Sequence, residues 1–199
     1  MNYIKSMKVS SITIDNFYSD VDAVRQQALQ QSFDVTGNYP GRRTTPFFND
    51  SIQEVISSLI QPHAGKITWW GDHNSGTYQY TTKEDKSWIH ADQTSHWAGV
   101  CYLTPNPPLN SGTGFFKHKE TGLTEAIYTE EGVYDEKAMA EIYKDSQNLD
   151  KWEMTDKVEN KYNRLIMYRG DTFHQSLNYF GDNMYNGRLF QTFFFNTEF

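Results

Sequence analysis

The stretch SWIHADQTSHWAGVCYLTP, residues 87–105, decides how the rest of the sequence is interpreted. It places a histidine two residues before a carboxylate, at His90 and Asp92, and then runs into an apolar segment typical of a buried strand. In a β-strand, residues i and i+2 project from the same face, so both side chains can aim at one point. An imidazole and a carboxylate that converge in this way suit a metal ion.

The composition fits one globular domain, and we treat residues 1–199 as a single unit. A chain of 199 residues with one cysteine is long enough to bury a sizeable core without disulfides. No apolar run of 18 residues is present, and the polar start MNYIKSMKVSSITIDNFY does not resemble a signal peptide. We therefore expect a soluble, cytoplasmic protein with no membrane partner.

The net charge of −7 comes from one segment of the chain. Residues 119–159 contain twelve acidic and five basic side chains, and the two signs balance elsewhere. An acidic surface repels phosphate backbones, which disfavours nucleic acid as a partner and favours a cationic or neutral one. Ala138, Met139 and Ile142 recur at helical spacing in this segment, so we expect a helical insertion there, either a lid or a solvated decoration.

The order of the patterns predicts a mainly β fold of the α+β class. Residues 1–65 contain a first strand and two helices, one within residues 15–33 and one at about 51–61 that ends at Pro62, with a loop at residues 36–50 between them. From residue 66 onward the period is two, in the segments KITWWGD, GTYQYTT, WAGVCYLT, TGFFKHK, NRLIMYR, DTFHQSL and GRLFQTFFFN. We expect a two-sheet jelly roll at residues 66–199, with the helices packed on one sheet.

A third metal ligand is needed, because a lone His-x-Asp pair occurs by chance in many sequences. His174 follows a Gly-Asp turn in NRLIMYRGDTFHQSLNYFG, 82 residues beyond Asp92. Two histidines and one carboxylate make the facial triad of non-haem iron(II) oxygenases, which leaves coordination positions open for substrates. A solvated aspartate beside two core histidines is the alternative.

An arginine opens the aromatic segment at the end of the chain. Arg188 begins RLFQTFFFN, 14 residues after His174, and a guanidinium there is costly to bury unless it meets an anion. Its planar fork suits a carboxylate, and the hydroxyl of Tyr102 can serve the same acid. Arg188 therefore predicts an acidic co-substrate.

Other arginines are candidates for contact with the substrate. Arg42 and Arg43 in YPGRR either line a substrate pocket or face solvent, and Arg169 in MYRGD lies on the approach to His174. We carry Arg42 and Arg169 forward as candidate substrate residues.

Together these residues resemble the 2-oxoglutarate- and iron(II)-dependent oxygenases, in particular their prolyl 4-hydroxylase-like branch. The likeness covers about residues 77–195 and rests on the His-x-Asp pair, the YLTP strand end, SGTGFF where the family often has Gly-Gly-x-Thr-x-Phe, His174 and Arg188. The resemblance implies that Fe(II) is bound by His90, Asp92 and His174, and that Arg188 pairs with the distal carboxylate of 2-oxoglutarate.

Further co-substrate contacts are implied by the same resemblance. Tyr102 and Tyr80 stand where some relatives place tyrosines that help to hold 2-oxoglutarate. Many relatives have lysine in place of Arg188, and Phe190 interrupts their Arg-x-Ser pattern. Thr192 shares the face of Arg188 on a regular strand, so it is the candidate for the missing hydroxyl.

The function implied by the resemblance is a dioxygenase, most simply a hydroxylase of a peptide or small molecule. It would use O2 and couple decarboxylation of 2-oxoglutarate to succinate with oxidation of a C–H bond. A cupin-like metal-dependent hydrolase or isomerase would need the triad but not the buried arginine. A non-catalytic jelly-roll binding module with a vestigial site is the other alternative, because fold does not determine function.

Overall fold

The computed structural model describes residues 8–198 as a mainly β fold with three α-helices. Residues 1–7, on which part of the argument against a signal peptide depends, and residue 199 lie outside the described residues. The strands are β1 (Ser11–Ile14), β2 (Arg42–Pro46), β3 (Ile67–Trp70), β4 (Thr77–Thr81), β5 (Trp97–Tyr102), β6 (Thr113–His118), β7 (Trp152–Val158), β8 (Leu165–Arg169), β9 (His174–Ser176) and β10 (Arg188–Thr197). The helices are α1 (Val21–Leu29), α2 (Asp50–Ala64) and α3 (Glu136–Tyr143).

The strands form two antiparallel sheets. The larger has seven strands in the order β1-β8-β5-β10-β4-β2, with β3 also paired to β10. The smaller has three strands in the order β7-β6-β9. All seven segments predicted as strands between residues 66 and 199 form strands. The register sets Arg188 opposite Thr81 and Phe190 opposite Tyr102.

The larger sheet buries both of its faces, because its side chains alternate between two apolar clusters. Cys101 and Phe193 belong to the cluster under the N-terminal helices, whereas Val100 and Phe190 belong to a second cluster on the opposite face. That second cluster includes Phe115 of the smaller sheet. The two sheets therefore face each other, and the space between their ends is where a site can form.

The helices α1 and α2 pack on one sheet, as predicted. The Asp20 carboxylate accepts a hydrogen bond from the Ala23 amide at 3.0 Å and caps α1, and the side chain of Asn49 caps α2. Ile56 and Ile60 of α2 are fully buried in the cluster that covers the larger sheet. No helix within residues 8–198 has the length and apolarity needed to span a membrane.

The second helix does not end at Pro62. It continues to Ala64, which is buried in the same cluster as Ile60, and stops at Gly65, where a φ of 75° suits glycine. Burial of the last turn against the sheet outweighs the backbone hydrogen bond that a proline removes.

Two strands were not predicted from the sequence. The strand β2 lies in the segment predicted as a loop and pairs with β4 at the sheet edge, where Pro46 is tolerated at the strand end. The strand β7 lies inside the acidic segment, and most of its side chains are exposed, as is typical of an edge strand. The α-helix of that segment is restricted to Glu136–Tyr143, so residues 119–159 are not simply a helical insertion.

The burial of α2 generates a stability prediction. Replacing Ile60 with Ala removes a fully buried side chain and should lower the free energy of unfolding by about 2–5 kcal/mol. Val55→Ala on the same helix, where the side chain is 45% exposed, should change it by less than about 0.5 kcal/mol. Urea unfolding followed by circular dichroism measures both, and equal losses would contradict the packing of α2 on the sheet.

Candidate metal centre

Three side chains from two distant segments of the chain converge between the sheets. One ligand atom from each of His90, Asp92 and His174 lies within 4.8 Å of the other two. The Asp92 carboxylate is 3.9 Å from His90 Nε2 through Oδ1 and 3.7 Å from His174 Nε2 through Oδ2. The structure thus brings together the three residues that the sequence predicted as ligands.

The backbone fixes the two histidines relative to each other. His90 and His174 form an isolated antiparallel bridge, in which the His90 amide donates to the His174 carbonyl at 3.0 Å and the His174 amide donates back at 2.8 Å. Each ring also places Nδ1 against a carbonyl two residues earlier, that of Trp88 at 3.0 Å and that of Thr172 at 2.8 Å. This arrangement favours the tautomer that leaves both Nε2 atoms free to bind a metal.

The His-x-Asp pair does not lie on a strand, contrary to the prediction. Beyond the bridge at His90 the chain turns away, and the Asp92 amide donates to the Gly170 carbonyl at 2.7 Å. A side chain at position 170 would place Cβ 2.3 Å from the carbonyl oxygen of Ser95, so only glycine allows this approach. Backbone contacts to the other ligand-bearing segment, and not strand alternation, set the direction of Asp92.

The cluster has the character of a site that requires a ligand. Asp92 Oδ2 is buried and makes no hydrogen bond to any residue in the range 8–198. The pKa of His174 is lowered from 6.5 to about 4, chiefly by burial and to a lesser extent by the neighbouring His90, so the imidazole is neutral at pH 7. Neutral imidazole nitrogens and an unpaired carboxylate oxygen are the donors that a divalent transition metal needs.

The acidic segment supports the cluster from behind. The hydroxyl of Tyr143, the last residue of α3, accepts a hydrogen bond from the Ala91 amide at 3.0 Å and donates one to the Ala91 carbonyl at 3.4 Å. The Ile89 amide donates to the Ser146 carbonyl at 2.9 Å. No pattern in the sequence indicates this contact of Tyr143, because its position marks only the apolar face of a helix.

A cavity of about 720 Å³ opens over the three ligands. Its size lies within the range of small-molecule sites. Aromatic side chains from the larger sheet, from the end of α3 and from the loops make up much of its wall, namely Tyr39, Trp69, Trp88, Tyr143, Tyr168, Tyr179, Phe190 and Phe194.

Arg188 lies fully buried behind one wall of this cavity. Its Nε donates to the Ser111 carbonyl at 3.1 Å, and both Nη atoms lack a hydrogen-bond partner within residues 8–198. The ring centres of Phe190 and Tyr179, which both line the cavity, are 4.3 and 6.0 Å from its Cζ. A buried guanidinium with unpaired donors is costly unless an anion joins it.

Two hydroxyl groups lie beside this guanidinium. The ring of Tyr102 is centred 5.2 Å from Cζ of Arg188, and its hydroxyl forms a 2.8 Å hydrogen bond with Thr113, which lines the cavity. Thr81 faces Arg188 across the β4–β10 pair, and its Oγ1 is buried with no partner among the described residues. Thr81 was not predicted, because cross-strand register cannot be read from spacing along the chain.

The other two predicted co-substrate contacts lie away from Arg188. Tyr80 packs against Phe33 in the cluster under the helices, on the face of β4 opposite to Gln79, and does not line the cavity. Thr192 does share the face of Arg188 and lines the cavity, but its hydroxyl donates to the Asn74 carbonyl at 2.8 Å. Thr192 lies four positions after Arg188 along β10, a distance of about 13 Å between their backbones.

Neither predicted substrate residue lines the cavity. Arg42 is exposed, because alternation along β2 turns it away and turns its neighbour Arg43 inward. Arg169 pairs with Asp171 at 3.1 Å and lies near the ring of Trp97. Of the two arginines in YPGRR, Arg43 is therefore the one that lines the cavity.

Comparison with known families and structures places this site in context. A family model described as "Family of unknown function (DUF6445)" matches residues 2–195. A search of curated protein sequences gives no match.

Solved structures share the fold at low sequence identity. HygX from Streptomyces hygroscopicus, crystallised with nickel and 2-oxoglutarate, is 10% identical, with 96% of this chain and 84% of that chain covered and a TM-score of 0.61. A prolyl hydroxylase from Trichoplax adhaerens, in complex with a hypoxia inducible factor peptide, is 15% identical, with coverages of 95% and 84% and a TM-score of 0.56. The carbocyclase SnoK from nogalamycin biosynthesis is 11% identical, with coverages of 94% and 79% and a TM-score of 0.59. The resemblance to these oxygenases is thus confirmed at the level of the fold.

The ligand geometry predicts a metal site that depends on each of its three side chains. His174→Ala should weaken binding of Fe(II) under argon by more than about 100-fold, since loss of a supporting partner alone costs about 10- to 100-fold. His73→Ala, at an exposed histidine outside the cluster, should bind Fe(II) as the parent protein does. Isothermal titration calorimetry makes the comparison, and a folded His174→Ala protein with unchanged affinity would remove this residue from the ligand set.

The lowered pKa of His174 predicts a pH dependence of stability. The folded imidazole stays neutral down to about pH 4, whereas the unfolded one takes up a proton below about pH 6.5. The metal-free protein should therefore lose about 3 kcal/mol of unfolding free energy as pH falls from 6.5 to 4, and none of this loss arises above 6.5. Urea unfolding at several pH values should show this loss of unfolding free energy in the parent protein and a smaller loss in His174→Gln. If the unfolding free energies of the two proteins change with pH in parallel, His174 is not the source of the loss.

Proposed function

The chain belongs to DUF6445, a family of unknown function, and we propose that it is an Fe(II)- and 2-oxoglutarate-dependent dioxygenase that hydroxylates a peptide or small-molecule substrate. One observation carries the proposal: the guanidinium of Arg188 is buried with both Nη atoms unpaired among the described residues, against side chains that line the cavity over the His90, Asp92 and His174 cluster. A metal site in the cavity and a buried cation beside its wall, free to pair with a carboxylate, are what this co-substrate requires.

The cluster suits Fe(II) in particular. His90, Asp92 and His174 supply two imidazole nitrogens and one carboxylate, the donor set that is diagnostic of non-haem iron oxygenases. Three protein ligands leave further coordination positions for co-substrate and O2. The backbone bridge between the histidines holds this set before metal arrives, so little order has to be gained on binding.

The second half of the site suits the far end of 2-oxoglutarate. Arg188 would hold its distal carboxylate through the two Nη atoms, in the paired geometry that a guanidinium and a carboxylate favour. Thr81 would supply a hydroxyl that is unpaired among the described residues beside that position. The ring of Tyr102 lies next to the Arg188 guanidinium. Arg188 and Tyr102 are the residues that the sequence suggested for this role, and Thr81 takes the place of Tyr80 and Thr192 in our proposal.

The fold supports the proposal without deciding it. Two facing antiparallel sheets, with the ligands at the open end, are consistent with a double-stranded β-helix, and we assign this chain to that jelly-roll architecture. HygX is known with hygromycin B bound and the Trichoplax prolyl hydroxylase with a peptide. A substrate of either kind would fit a cavity of about 720 Å³.

The bound iron and 2-oxoglutarate would supply the oxidation: one oxygen atom of O2 enters a C–H bond, and the other enters succinate as CO2 is lost. The chain itself would bind the co-substrate, orient the substrate and exclude water. Aromatic walls such as Trp88 and Tyr168 lower the water content around the ligands, which strengthens every electrostatic contact there. The carbonyls of Trp88 and Thr172 keep the imidazoles in place.

The unpaired guanidinium also separates this function from its alternatives. A metal-dependent hydrolase or isomerase on the same scaffold would use the three ligands but would gain nothing from burying Arg188. A vestigial binding module would not be expected to retain a buried charge whose cost only a ligand offsets.

The proposal predicts a distinctive pair of effects for Arg188→Met. Without 2-oxoglutarate the variant should be as stable as the parent protein or more stable, because an uncompensated buried charge is gone. Adding 2-oxoglutarate to the Fe(II) protein under argon should raise the melting temperature and produce a visible charge-transfer band in the parent protein only. Differential scanning fluorimetry and absorption spectroscopy read these out.

Arg169→Gln serves as the matched control, because that arginine is paired with Asp171 and does not line the cavity. It should keep both responses to 2-oxoglutarate. A parent protein that binds Fe(II) but shows no band and consumes no O2 with 2-oxoglutarate would refute the proposed function and favour the hydrolase or isomerase.

A further inference from the structure

A second guanidinium, that of Arg43, forms part of the cavity wall. It is 9% exposed, and two neutral amide side chains hold it: Nε donates to Gln79 Oε1 at 2.6 Å and Nη1 donates to Asn74 Oδ1 at 3.1 Å. The ring of Tyr39 lies under the guanidinium, with 3.7 Å between Cζ and the ring centre. Amides and an aromatic face orient the cation without cancelling its charge.

Arg43 has no acidic partner. No carboxylate of residues 8–198 lies within 4.0 Å of its guanidinium, Asp92 attracts it only from a longer distance, and Nη2 donates no hydrogen bond to those residues. Burial lowers its pKa to about 10, which leaves the group charged at pH 7. The site thus holds a fixed cation whose remaining donors are available to a ligand in the cavity.

The charges of the cavity single out this residue. Among the described side chains that line the cavity, Arg43 and Asp92 carry the fixed charges. His90 and His174 are the other two residues of the metal cluster. With Fe(II) and 2-oxoglutarate in place, the two positive charges of the metal and the one of Arg188 would balance three negative charges. These are the carboxylate of Asp92 and the two carboxylates of 2-oxoglutarate. Arg43 is then the one lining charge without a counter-charge, so this argument rests on the proposed function.

Arg43 is too far from Arg188 to share one co-substrate carboxylate. In the register of the larger sheet, Arg43 lies opposite Gln79 and Gln79 opposite Phe190, which is two residues from Arg188. Two strand spacings and two residues separate the backbones by about 12 Å. The side chains also reach different parts of β10, because the Arg43 guanidinium lies 6.0 Å from the ring of Phe194 and that of Arg188 lies 4.3 Å from the ring of Phe190. The site therefore has two anion positions, one at Arg43 in the cavity wall and one at Arg188 behind it.

We propose that Arg43 binds a carboxylate of the substrate, so that the substrate is an acidic small molecule or the free carboxyl end of a peptide. A single guanidinium held by neutral groups matches one negative charge, and its fork fits a planar carboxylate. A phosphate dianion would call for a second cation, and none is found among the lining residues within 8–198. The aromatic walls would contact the apolar part of the same molecule.

The test uses a mixed pool of N-acetyl amino acids and their C-terminal amides. Each acid and its amide differ only in the negative charge of the terminal carboxylate. The full chain, loaded with Fe(II) and 2-oxoglutarate under argon, is incubated with the pool, and retained compounds are identified by ultrafiltration and mass spectrometry. The parent protein should retain one or more acids over the matching amides by about 10- to 100-fold, the range expected for a charge-assisted pair.

Three variants complete the design. Arg43→Gln should lose the preference for acids, and Arg43→Lys should retain part of it, because the charge remains but the fork is lost. Arg42→Gln, at the adjacent exposed position on the other face of β2, should behave as the parent protein does. The charge-transfer band with 2-oxoglutarate should be present in all of them, which shows that the variants are folded and loaded.

The outcomes separate the two proposals. A parent protein with the band that retains no acid, or an Arg43→Gln protein that keeps the full preference, would overturn the assignment of Arg43. A parent protein without the band would instead remove the proposed function itself.

Discussion

The pair of reciprocal backbone hydrogen bonds between His90 and His174 is the constraint on which the rest of the site depends. It joins segments 84 residues apart and lies outside the ladders of both sheets, so it fixes the ligands where β9 begins at the edge of the smaller sheet. The contact from the Asp92 amide to Gly170 adds a third point of attachment. Because backbone groups make all three contacts, changes in surrounding side chains leave the ligand geometry in place, and the cluster is preorganised for metal.

Preorganisation leaves charges that the protein alone does not neutralise. Arg188 is buried without an acid, Asp92 Oδ2 is buried without a donor, and Arg43 is held by amides. Each arrangement costs free energy in the absence of ligands, and burial of the apolar clusters around the sheets has to offset that cost. Such a balance is expected of a binding site, since ligands that supply the missing partners then stabilise the folded state.

The sequence predicted the parts of this structure that depend on local pattern. The seven core strands follow from a period of two, and the ligand types follow from the chemistry of imidazole and carboxylate. It did not predict β2 or β7, because edge strands tolerate proline, glycine and charge. Nor did it separate Thr81 from Tyr80, or Arg43 from Arg42: in each pair, one residue along the chain reverses the face, and only the sheet register tells which side meets the cavity.

The charge of the acidic segment and the charge of the cavity act over different distances. The excess of negative charge in residues 119–159 favours a cationic or neutral partner, but at physiological salt such a surface field decays over about 8 Å. Inside the cavity, where aromatic side chains form much of the wall, screening by salt is weaker than at the open surface, so Arg43 acts on a bound molecule more strongly than an exposed charge does. The outer charge therefore influences the rate at which an acid arrives, whereas the inner charge determines how long it stays. An acidic exterior and an acid-binding interior are in this way compatible in one chain.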